Sequence, residues 1–66
     1  MKLQINGQEQ ELAEGLTLAA LIEQMGMKAD RVAVEVNREI VSRNLWPQTI
    51  LHSGDRLEIV HFVGGG

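Results

Sequence analysis

One stretch of the chain carries apolar residues at clear helical spacing, and it is short. Leu18, Leu21, Ile22 and Met25 fall on one face of a helix, with Glu23 and Gln24 on the other. Thr17 stands where an N-cap belongs, and Gly26 where a left-handed C-cap closes the last turn. A single helix with strands before and after it fits a helix laid across a sheet, an α+β arrangement. With 66 residues in all, the chain needs that apolar stripe for its core, which favours packing over a partner-binding groove.

The strands follow from period-2 patterns. Met1, Leu3 and Ile5 alternate with Lys2, Gln4 and Asn6. Asn6-Gly7 is the dipeptide best suited to a tight hairpin, because both positions tolerate positive φ. The return, 8–13, is polar apart from Leu12 and reads as an edge strand, with Glu9 and Glu11 discouraging pairing with other chains. Val32, Val34 and Val36 alternate with Ala33, Glu35 and Asn37, a β-branched strand. Asn37-Arg38 makes a turn, from which Glu39-Ile40-Val41 pairs back. Residues 42–48 are expected to be irregular, since Pro47 denies a ladder donor. Trp46 is expected to lid one end of the core, with ligand stacking as the alternative. After a turn at Ser53-Gly54-Asp55, a last strand runs over 56–63. The first and last strands are expected to lie side by side and parallel at the sheet centre.

Composition excludes several chemistries. There is no cysteine, which removes disulfides, thiolate metal sites and thiol catalysis together. The two histidines, His52 and His61, are not spaced as metal ligands, and neither Thr17 nor any serine has a base nearby in sequence. No catalytic residue and no metal site is therefore assigned. A net charge of -3 without a basic stripe or stacking aromatics gives nucleic-acid binding little support. No apolar run reaches a membrane span, and the start reads as a strand, not a signal peptide. The expectation is a cytoplasmic domain, monomeric alone.

The end of the chain is the feature that points to function. The last strand finishes in Gly64-Gly65-Gly66, a tail with no Cβ and the largest backbone entropy to lose on ordering. Residues 1–63 are read as the domain and 64–66 as a flexible tail whose one chemical group is the terminal carboxylate. Glu58 should face water, which places Leu57 and Ile59 in the core. Val60 and Phe62 then lie bare on the outer face, and Ala33 on the valine strand widens the patch, a candidate docking surface.

These segments together carry a resemblance. Val32-Ala33-Val34-Glu35-Val36-Asn37, Glu39-Ile40-Val41, Trp46, Gly54-Asp55-Arg56-Leu57-Glu58-Ile59-Val60 and His61-Phe62-Val63-Gly64-Gly65-Gly66 resemble the ThiS sulfur carriers of thiamine thiazole biosynthesis, in the ubiquitin-like β-grasp superfamily. The resemblance implies a β-grasp fold and a carrier, not an enzyme. It implies that a ThiF-type adenylyltransferase uses ATP-Mg to convert the Gly66 carboxylate into an acyl-adenylate. A persulfide on a sulfur-relay protein then leaves a thiocarboxylate, and the thiazole synthase ThiG accepts the sulfur. Gly64 and Gly65 would be the slim arm entering both partners, with no cofactor held by this chain. The alternatives are a MoaD-like carrier for molybdopterin synthesis, a ubiquitin-like protein modifier, and a plain interaction module. MoaD-like chains are longer and approach Gly-Gly through a proline, which His61-Phe62-Val63 lacks.

Overall fold

The computed structural model describes residues 1–62. Its elements are β1 (Lys2–Ile5), β2 (Gln8–Glu11), α1 (Leu18–Gln24), a 3₁₀ turn (Ala29–Arg31), β3 (Val32–Val36), β4 (Glu39–Ile40), a 3₁₀ helix (Arg43–Gln48) and β5 (Arg56–His61). The sheet order is β2-β1-β5-β3-β4. β1 and β5 are parallel neighbours, and β5, the last strand in sequence, is the central one.

The turns form where the side chains permit them. Asn6 and Gly7 both take positive φ, 52° and 82°, as the right-handed twist of a two-residue hairpin requires. Thr17 caps α1, its Oγ1 accepting from the Ala20 N–H at 3.1 Å. Gly26, at φ 74°, ends the helix in the left-handed region without a Cβ penalty. The helix is shorter than its apolar stripe. Met25, the last residue of the apolar stripe, is the C-cap residue and is 37% exposed. Met27, beyond the Gly26 turn, packs against the core.

Leu18, Leu21 and Ile22 of α1 pack with Leu3, Ile5, Val32, Val34, Leu57 and Ile59 from the inner face of the sheet. Trp46 and Leu51 complete the cluster. Trp46 is 3% exposed, and its Nε1–H donates to the Val41 carbonyl at 2.9 Å, so the ring is built into the core as a lid. The segment 43–48, expected to be irregular, is a 3₁₀ helix with Pro47 inside it. A short 3₁₀ element tolerates a proline near its start or end more readily than an α-helix interior does, and its period leaves no amphipathic signature. A second group of bonds fixes the start of β5. Asn37 Nδ2 donates to Asp55 Oδ1 at 3.0 Å, the Arg56 N–H donates to Asn37 Oδ1 at 3.0 Å, and the His52 N–H donates to Asp55 Oδ2 at 2.8 Å. The Asn37 and Asp55 side chains thus tie the β3–β4 turn to the turn before β5. Among the described residues, no helix is long and apolar enough to cross a membrane.

Candidate functional site

β5 is held by β3 along its length and by β1 over its first half, so its outer face is presented on a supported strand. Alternation along it is strict through Val60: Leu57 and Ile59 are buried, while Arg56, Glu58 and Val60 are exposed. Antiparallel register with β3 sets Val60 opposite Ala33. Ala33 has only a methyl to offer, so Val60 stays 58% exposed. Phe62, 49% exposed, follows two residues later, its N–H donating to the Arg31 carbonyl at 2.7 Å. The three residues expected to form a docking patch, Val60, Phe62 and Ala33, are therefore gathered at one end of the outer face. Gly64, Gly65 and Gly66, and the last position of the expected strand, Val63, lie outside the described residues.

Register reveals neighbours that periodicity alone does not. Glu58 lies opposite Glu35, and Glu35 lies opposite Ile40 of β4, so these three side chains share the outer face with Val60. Ile40 is 77% exposed and adds an apolar shoulder beyond the acidic pair. It borders a shallow hollow also lined by Val36, Val41 and Leu45. In the sequence Ile40 is one apolar residue in a two-residue strand, and only the pairing with β3 says which way it points.

Two carboxylates directly opposite on adjacent strands repel, and among the described residues neither has a basic group within ion-pair distance. Glu58→Gln is expected to raise the melting temperature by about 2–4 °C at low salt, from roughly 0.5 kcal/mol of relieved repulsion. The gain should shrink at high salt, where the repulsion is screened. Thermal melts of both proteins at the two ionic strengths check this, and an equal or lower melting temperature for Glu58→Gln at low salt would show that the pair does not repel.

His52 sits in the turn before β5, while His61 ends that strand opposite Val32. Among the described residues, no three of His, Cys, Asp and Glu converge as metal ligands do. This face carries exposed Val60 and Phe62 beside Ala33, then Glu35 and Glu58 in a hollow shared with Arg38 and Arg56, and beyond them Ile40.

Comparison with known proteins agrees from end to end. The ThiS family model matches residues 3–66. Sulfur carrier protein ThiS of Escherichia coli is 32% identical over 66 residues, covering 100% of both chains. A thiazole synthase of Paramagnetospirillum magneticum is 46% identical over 66 residues, which is 100% of this chain but 20% of that one. The crystal structure of the thiamine biosynthesis protein ThiS from Geobacter metallireducens superposes with a TM-score of 0.85 at 33% identity, covering 100% of both chains.

Proposed function

Because the chain belongs to the ThiS family, we propose that it is a sulfur carrier in thiamine biosynthesis whose working group is the Gly66 carboxylate. The observation that carries this reading is the family match running through Gly66. It is supported by the strand leading there, which is locked at the sheet centre with Val60 and Phe62 bare beside it.

A carboxylate is a poor electrophile at neutral pH, and a ThiF-type enzyme would supply the missing leaving group by transferring AMP from ATP-Mg to Gly66 with release of pyrophosphate. The terminal sulfur of a persulfide on a relay protein then attacks the acyl carbon and AMP departs. Cleavage of the resulting S–S bond by a second thiol leaves the thiocarboxylate on Gly66 and a disulfide on the donor side. The chain has no cysteine, so no side-chain thiol competes for the sulfur. Gly65 and Gly64 provide an arm without side chains, narrow enough for a channel.

The acceptor proposed is a thiazole synthase of the ThiG type. Its support is that two relatives named thiazole synthase contain a stretch matching this whole chain, as 20% of their own length. The Val60–Phe62–Ala33 face would dock the activating enzyme and the synthase in turn, so the two compete for it.

The test is intact-mass spectrometry after incubation with a ThiF-type enzyme, ATP-Mg and a persulfide source. The wild-type protein is expected to exchange one oxygen for sulfur, and a variant lacking Gly66 to remain unchanged. An unmodified wild-type mass would overturn the carrier reading. Lysine-linked adducts of the chain in cell extracts would instead mark a modifier.

A further inference from the structure

The two main-chain edges of β5 are not equally occupied. On the β1 side, the Gln4 N–H donates to the Asp55 carbonyl and the Asn6 N–H to the Leu57 carbonyl, each at 2.9 Å. β1 then leaves the sheet at the Asn6-Gly7 turn, and a side chain makes the next rung. Asn6 Oδ1 accepts from the Ile59 N–H at 2.7 Å, while Asn6 Nδ2 donates to the Ile59 carbonyl at 3.2 Å. A carboxamide is the one side chain that carries both the donor and the acceptor of a peptide group, so Asn6 stands in for a further residue of β1. On the β3 side, the Asn37 N–H donates to the Arg56 carbonyl at 2.8 Å and the Phe62 N–H donates to the Arg31 carbonyl at 2.7 Å. Odd-numbered residues of β5 therefore address β1, and even-numbered ones address β3.

By that alternation, the N–H and C=O of His61 point to the β1 side, one rung beyond Asn6. Register with β1 stops at Ile5 opposite Leu57, and among the described residues nothing stands opposite His61 on that side. The side chain of His61 is exposed as well. A strand held on its other edge, offering a donor and an acceptor in ladder geometry, is a template for an added strand.

We infer that an extended main-chain segment of the partner enzyme pairs with His61 on this edge, continuing the sheet past Asn6 in the place that β1 vacates. The inference rests on the carrier reading and deepens it. Main chain is the fitting occupant because a single peptide segment meets the N–H and the C=O at once, as side chains of fixed geometry seldom do. The side chains of such a segment alternate between faces, so every second one lies on the side of the sheet that carries Val60 and Phe62. Backbone pairing would then fix the direction in which the carrier docks, while the apolar patch supplies affinity. The imidazole of His61 has no part in it.

Two variants separate backbone from side chain. His61→Pro removes the N–H that faces the β1 edge, which makes no bond within the described chain, and its neighbour Val60 is already extended, as a residue before proline must be. His61→Ala removes only the imidazole. With a ThiF-type enzyme, ATP-Mg and a persulfide source, His61→Pro is expected to raise KM for the carrier roughly tenfold, the loss of about one interfacial hydrogen bond, with kcat little changed. His61→Ala is expected to load like wild type. Amide exchange on the wild-type protein gives a readout free of any mutation. The His61 amide should exchange fast in the free carrier and slow when the enzyme is bound, while those of Ile59 and Phe62 are protected in both states. Equal KM values for the two variants, or a His61 amide unprotected in the complex, would overturn the edge-pairing while leaving the carrier function intact. A wild-type protein that is never loaded would overturn both.

Discussion

Val60→Arg is expected to slow sulfur loading by about 100-fold at subsaturating carrier, with the melting temperature within a few degrees of wild type. Val60 is 58% exposed, so the fold loses little by its replacement. An arginine there also sits on the face that carries Glu58 and Glu35, which offset its charge in the free protein. In the docking proposed above, the same position is the middle of the apolar contact. Removing an anchoring apolar side chain from an interface and forcing a charge into its place costs on the order of 2–3 kcal/mol, which corresponds to a factor near 100. The effect should appear as a raised KM, because the proposed role of Val60 is to touch the partner and not the reacting carboxylate. Sulfur transfer to a thiazole synthase should fall by a similar factor. Loading and transfer assays on the same variant decide the matter: a loss in one step only would mean that the two partners use different faces, and a loss in neither would remove Val60 from the docking surface.

Leu57→Ala is expected to destabilise the domain by about 3 kcal/mol, within the range for truncating a buried leucine. Leu57 is 1% exposed on the central strand, paired in register with Ile5 on one side and Val36 on the other. A domain of this size holds only a few kcal/mol in total, on the order of 0.1 kcal/mol per residue, so the substitution removes a large share of it. The corresponding fall in melting temperature is on the order of 15 °C. Urea unfolding followed by Trp46 fluorescence measures it. The change at Glu58, one residue on but on the other face, is expected to have the opposite sign. A loss below about 1 kcal/mol for Leu57→Ala would mean that β5 is not the centre of the core.

These two neighbouring positions show what kind of information lies along a chain and what kind lies between its segments. Strand alternation, helix caps and turn chemistry are local. Leu57 inward and Val60 outward follow from period 2 together with the polarity of Glu58, and the turns at Asn6-Gly7 and Gly26 follow from which residues tolerate positive φ. Thr17 as the helix cap is local chemistry of the same kind, a side-chain oxygen meeting a nearby N–H. Local reasoning misjudged segments whose period is short or absent. The 3₁₀ helix Arg43–Gln48 has no amphipathic repeat to detect, and Met25, which continues the apolar stripe of α1, falls at the C-cap, outside the helix, and is partly exposed.

The α-helix, the alternating strands and the inward and outward faces of β5 were legible along the chain. Each of these depends on residues within a few positions of one another. Register between strands shows that Glu58 faces Glu35, that Ile40 joins the outer face, and that the Asn6 carboxamide fills one rung of β5, with the next, at His61, unpaired on that side among the described residues. Those features depend on register between strands far apart in the chain. Register is set by how the whole apolar set is buried at once, because a slip of one residue would turn every side chain of a strand to the opposite face.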